Sequence, residues 1–177
     1  MSNIVFIATS LDGYIADQHG SIDWLHAIPN PDGIDMGFGA LMDRVDALVM
    51  GRNTFDIVMS FGCDWPYTKP VCVLSNTMTS VPAGYEDKIF LMKGDVPEIL
   101  PVLHDKGFHD LYIDGGVTVQ HFLQADMIDE LIITTIPVLL GGGSPLFSEL
   151  ASPLHFSLEK SETFLNAIVQ NHFVRQR

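Results

Sequence analysis

Apolar positions along the chain fall into short runs, and the spacing inside each run separates strand from helix. Residues 3–9 (NIVFIAT), 46–50 (DALVM), 69–75 (KPVCVLS), 88–92 (KIFLM) and 110–114 (DLYID) are compact apolar stretches, several of them β-branched. They predict strands of a buried sheet. A longer run, DELIITTIPVLL at 129–140, predicts one more. Between them the period lengthens. Val96, Ile99, Leu100 and Leu103 fit one helix face, with Asp95 as N-cap, Glu98 three residues on, Gly107 as stop and Pro101 as a kink. Val119, Phe122 and Leu123 place a second helix near 118–125, and 53–60 suits a third. Met36, Phe38, Leu41 and Met42 give a looser fourth over 36–44, weakened by Gly37 and Gly39. From Leu154 the pattern alternates, which predicts antiparallel strands near 155–164 and 166–175. Asp12-Gly13 marks a turn, and IPNPDG at 28–33 a loop.

Strands alternating with helices, then a closing strand pair, predict an α/β sandwich with a mainly parallel sheet and an antiparallel C-terminal edge. Nothing divides residues 1–177: there is no repeat, linker or low-complexity segment. A chain of 177 residues, 47% hydrophobic and 18% charged, is one folded domain.

Charge narrows the partners. The formal net charge is -13, which excludes nucleic acid and anionic membrane as general partners. A polyanionic small molecule could bind only where bases gather locally. Cys63 and Cys72 have no CxxC spacing and read as reduced thiols of a cytoplasmic protein, although the sequence alone is compatible with one bond. The N-terminus lacks a basic n-region and reads as a first strand, not a signal peptide. No run approaches transmembrane length. The seven histidines are scattered without HExxH or a Cys/His cluster, so no metal is expected.

Two corners carry candidate chemistry. Gly51-Arg52-Asn53-Thr54 ends a strand and opens a helix, where free N–H groups and a positive dipole end attract anions and an arginine can fork onto phosphate. An ordinary strand-to-helix corner with one exposed arginine fits the same residues. Gly115-Gly116 is the second such corner, with a tight turn as its plainer reading. Together they are more informative, because ligands of open α/β sheets bind beyond the carboxyl ends of the strands. Gly141-Gly142-Gly143 is followed by Ser144-Pro145 and reads as a flexible turn. GxGxxG, GxxxxGK[ST] and GxSxG are absent. Two carboxylates are candidates for proton chemistry: Asp12, which could equally stabilise its own turn, and Asp35, which could equally cap the helix after it. Trp24 and Leu25 wall a pocket or belong to the core.

In order, IATSLDGYIAD, DALVMGRNTFD, KPVCVLSNT and YIDGGVTVQHFLQADMIDELIITTIPVLLGGGSPLF resemble the dihydrofolate reductase-like superfamily. Within it the chain looks like the small single-domain proteins similar to the reductase (C-terminal) domain of bifunctional riboflavin biosynthesis enzymes. The resemblance implies a three-layer α/β/α sandwich and an NADPH-dependent oxidoreductase without a Rossmann fingerprint. It places Gly51, Arg52 and Thr54 near the cofactor phosphates and Ser75 and Asn76 near the adenosine. Gly115 and Gly116 fall beside the nicotinamide and diphosphate, with Ala8 and Thr9 flanking the nicotinamide. It also implies a homodimer. Against true dihydrofolate reductases the catalytic acid maps to Asp35; against the riboflavin enzymes it maps to Asp12. The implied activity is hydride transfer to a small pterin- or pyrimidine-like heterocycle. The 5-amino-6-(5-phosphoribosylamino)uracil reductase reaction is the alternative, and a nucleotide-binding module without turnover is a second. One departure is visible. Tyr14 stands where the riboflavin enzymes carry a basic residue, and the stretch after it is acidic and aromatic.

Overall fold

The computed structural model describes residues 1–62 and 64–177; Cys63 lies outside the described residues. An eight-stranded sheet runs through the centre in the order β5-β4-β3-β6-β1-β7-β10-β9. Its strands are β1 (Ser2–Thr9), β3 (Ala47–Gly51), β4 (Val71–Leu74), β5 (Ile89–Met92), β6 (Asp110–Asp114), β7 (Glu130–Thr135), β9 (His155–Phe164) and β10 (Ile168–Gln176). The pairings from β5 to β7 are all parallel, and β10 and β9 close the sheet antiparallel, as the sequence predicts. Helices α1 (Phe38–Arg44) and α2 (Arg52–Ser60) cover one face, and α3 (Val96–Asp105) and α4 (Gly116–Gln124) cover the other.

The apolar faces read from the sequence are the ones buried. Val96, Ile99, Leu100 and Leu103 of α3 join Val119, Phe122 and Leu123 of α4 over Val5, Val49 and Ile113. On the opposite face Leu41 and Met42 of α1 and Phe55 of α2 pack on Ile4, Leu48, Met50 and Tyr112. α3 continues through the exposed Pro101. Its start is fixed by Glu98, whose carboxylate accepts the Asp95 N–H at 2.9 Å. Cys72 is a free thiol in the core, and burial pushes it up to about 12.

Two expectations change. The long strand over 129–140 stops at Thr135. Pro137 has no N–H to continue a ladder. The chain instead runs on irregularly beside the end of the first strand: Ile136 donates to the Thr9 carbonyl and Leu11 to the Val138 carbonyl, each at 2.8 Å. The glycine run at 141–143 is more than a flexible turn. It leads into β8 (Ser144–Pro145), which pairs with β2 (Tyr14–Ala16) as a small ribbon beside the sheet. A Cβ on Gly143, whose φ is +138°, would collide with the Ala16 carbonyl, so only glycine lets the two strands approach. Residues 23–26, unassigned by periodicity, form a 3-10 turn. Among the described residues no helix is long and apolar enough to cross a membrane.

Candidate active site

The register of the parallel strands builds the site. Met50 of β3 pairs with Asp114 of β6, so Gly51 and Gly115 stand side by side at the carboxyl edge of the sheet. Each is the residue before a helix, and neither α2 nor α4 has a side-chain cap at its N-terminus. Two sets of free N–H groups therefore open into the same space. The corners are fitted to one another. Gly115 has φ +88°, and a Cβ there would meet the Thr54 hydroxyl, while a Cβ on Gly51 would lie 3.2 Å from Thr118 Oγ1.

The space is a cleft of about 850 Å³. Of the residues singled out in the sequence, it gathers Ala8, Gly51, Arg52, Thr54, Ser75, Asn76, Gly115 and Gly116. Thr9 is not among its walls: it is buried, and its carbonyl accepts from Ile136. Arg52 is half exposed at the rim. Its guanidinium donates to Asp56 at 3.3 Å and to Thr77 Oγ1 at 3.1 Å. Ser75 Oγ accepts the Met78 N–H at 2.9 Å, which shapes the turn after β4. Lys93 joins Arg52 in the cleft wall, so bases collect here in an acidic protein. The ribbon supplies the remaining side through Ile15, Gly143, Ser144 and Pro145.

Next to the cleft is a second cavity of about 410 Å³, and Ala8 and Leu25 line both. Asp35 lies in the wall of this smaller pocket. Its carboxylate accepts the Gly37 N–H at 3.0 Å and the Gly39 N–H at 2.9 Å, and these bonds hold it below the usual carboxylate range. Of the two glycines that weaken α1 in the sequence, Gly39 makes room for the carboxylate, since a Cβ there would sit 3.0 Å from Asp35 Oδ2, and Gly37 takes a φ of +95° at the helix start. Leu25 is thus a pocket wall.

Asp12 is placed differently. It lines neither cavity. The Ser10 hydroxyl donates to it at 2.6 Å, the Leu140 N–H at 3.1 Å and the Gly141 N–H at 2.8 Å. These donors, Ser10 foremost, hold its carboxyl down at about 2. Asp12 ties the turn after β1 to the segment that leads into β8.

A third carboxylate escaped the sequence reading. Asp114, the last residue of β6, lines the cleft directly before Gly115-Gly116. Burial pushes it up to about 6, against the Gly115 N–H that donates to it at 2.8 Å and the nearby Tyr112 hydroxyl. The same surroundings push Tyr112 and Tyr67 upward, through burial first and then the Asp114 charge. The available signal was an acidic residue ending an apolar strand just before a double glycine, at the edge where ligands bind. Among the described residues no cluster suits a metal ion.

Known proteins share this architecture. A putative riboflavin biosynthesis protein from Shewanella sp. PV-4 superposes with a TM-score of 0.97 at 64% identity, covering all of both chains. Dihydrofolate reductase from Enterococcus faecalis, solved in complex with NADP(H) and RAB-propyl, shares the fold at 19% identity, with a TM-score of 0.62 over 99% of this chain and 97% of that one. The uncharacterized protein YwjB of Bacillus subtilis is 36% identical over 174 residues, 97% of each chain. Residues 3–170 match the family described as RibD C-terminal domain. With that match spanning nearly the whole chain, the protein belongs to the RibD C-terminal domain family.

Proposed function

We propose that the protein is a cytoplasmic NADPH-dependent reductase that acts on a small pterin- or pyrimidine-like heterocycle. The observation that carries this reading is the pair of uncapped helix starts, at Gly51–Arg52 and Gly115–Gly116, facing one cleft that also holds Arg52 and Lys93. That donor set suits a ligand with several phosphates. Bound NADPH would supply a hydride. The backbone at Gly51–Thr54 and Gly115–Gly116 would hold the phosphates, Ser75 and Asn76 the adenosine, and Ala8 would border the nicotinamide. The adjoining 410 Å³ pocket would seat the substrate against Asp35. As a carboxylate, Asp35 would hydrogen-bond a ring N–H and stabilise positive charge on a C=N nitrogen, which makes the carbon more electrophilic. Family membership favours one second reading, reduction within riboflavin biosynthesis.

The cofactor test is a titration. NADPH differs from NADH by one phosphate, and a charge-assisted hydrogen bond to it corresponds to roughly ten- to a hundredfold in affinity. Arg52→Ala is expected to weaken NADPH by about that factor and leave NADH nearly unchanged. Equal weakening of both would assign Arg52 to the diphosphate or the fold. If neither cofactor binds the wild-type protein, the reductase reading falls.

The proposed assembly is a homodimer. β9 is the last strand of the sheet, ten residues long, with one side unpaired and Leu158 57% exposed. A bare edge of that length invites pairing with a second copy. Sedimentation equilibrium at micromolar concentration is expected to give twice the chain mass; a monomer would remove the claim.

A further inference from the structure

The two cavities divide the protein's charge unequally. All nine lysines and arginines lie among the described residues. Arg52 and Lys93 line the larger cleft, and none lines the 410 Å³ pocket. Its walls are mostly apolar, including Phe6, Ile28, Ile34 and Ile136, and its one carboxylate is Asp35. Phe6 and Met36 also line a neighbouring cavity of about 340 Å³, whose walls hold two cations, Arg44 and Lys160, beside His172. Both are already paired: Arg44 with Glu130 at 2.6 Å and Lys160 with Glu162 at 2.7 Å.

We propose that the substrate pocket takes an unphosphorylated ring, uncharged or cationic, and discriminates against phosphorylated compounds. This rests on the cofactor reading above, which identifies the smaller pocket as the substrate's. A phosphate group there would meet Asp35 and the field of a chain with net charge -13, with no lysine or arginine to pair it and His26 as the one imidazole in the wall. Attraction is weak evidence in an open pocket, but unpaired like charge is a reliable means of rejection. Apolar walls suit the faces of a planar ring, and the carboxylate suits a ring N–H or an amino group.

The test uses a matched pair that differs only in the phosphate: 5-amino-6-(5-phosphoribosylamino)uracil and its dephosphorylated form, with pterin as a compact uncharged probe. Each is titrated into the wild-type protein saturated with NADP⁺, after NADPH binding has been shown on its own. With the ring held at Asp35 and the phosphate a ribose away in solvent, their repulsion predicts roughly three- to tenfold weaker binding of the phosphorylated member. Asp35→Asn should narrow that gap. A phosphorylated compound that binds as tightly as its partner, or tighter, overturns the proposal. So does failure of both unphosphorylated probes to bind a protein that does bind NADPH. Failure of NADPH itself would instead strike the cofactor reading.

Discussion

Asp114→Asn is expected to make the protein more stable than wild type above about pH 7, by roughly 2–3 kcal/mol, with the two converging near pH 4. In the unfolded chain this carboxyl titrates near 3.8, and in the fold near 6. Below both values it is protonated in either state and contributes nothing to the difference. Between them the unfolded chain ionises first, so the native state binds more protons and stability falls as pH rises. Above about 6 the folded protein carries the cost, at most about 3 kcal/mol for a shift of about two units and nearer 2 because Asp114 is only partly buried and borders the open cleft. Asparagine keeps an oxygen for the Gly115 N–H at 2.8 Å and removes the buried charge. Urea unfolding of both proteins at about pH 4 and 7.5 measures the effect; equal stability at the higher pH would show that the wild-type carboxylate is better solvated than its position implies. An ionised Asp114 also faces a cleft suited to a polyanion, so cofactor affinity should decline through pH 6 in wild type and not in the variant.

For turnover the larger loss is expected at Asp35. Asp35→Asn removes the negative charge from the pocket and keeps its shape. Loss of a group that handles a proton or stabilises developing charge typically costs ~10²–10⁴-fold. Cofactor affinity should hardly move, because Asp35 lines the 410 Å³ pocket and not the larger cleft. Asp12→Asn supplies the contrast. It weakens the tie to Leu140 and Gly141, so its effects should appear in stability and in the set of the β2–β8 ribbon. Steady-state rates with NADPH and a pterin or pyrimidine acceptor separate the two. If turnover survives Asp35→Asn and fails in Asp12→Asn, the assignment moves to Asp12.

The layers and the parallel order were legible because burial imposes periodicity: the Val96/Ile99/Leu103 stripe and the β-branched run at 3–9 are visible in one dimension. The two glycine corners were legible for a related reason, since each ends an apolar run. What stayed hidden depended on partners distant in sequence. Pro137 showed where β7 must end, but not that 136–141 would fold onto residues 9–12. The two-residue strand Ser144–Pro145 is too short for any pattern and exists because Tyr14–Ala16 is there to meet it. Asp114 looks like an ordinary strand-terminal residue until Tyr112, Tyr67 and the corner glycine close around it. Asp35 and Asp12 could not be ranked from sequence, because what separates them is that Asp35 lines a cavity and Asp12 does not.

The place of β1 shapes how the chain must fold as it is made. Of the strands in this sheet, the earliest in the chain is an interior one, flanked by β6 and β7. Its neighbours begin at residues 110 and 130, so Ile4–Ile7 leave the ribosome with neither partner yet in existence. Residues 47–92 can assemble β3, β4 and β5 among themselves in the meantime. The centre of the sheet must wait for most of the chain, and its closing side for nearly all of it, since Arg175 completes the pairing of the last strand to Asp126 and the Asp129 carbonyl. Contacts of such long sequence separation are slow to form. An apolar strand held open for that interval is a natural client for a chaperone, and a chain cut short before residue 110 would carry it permanently unpaired.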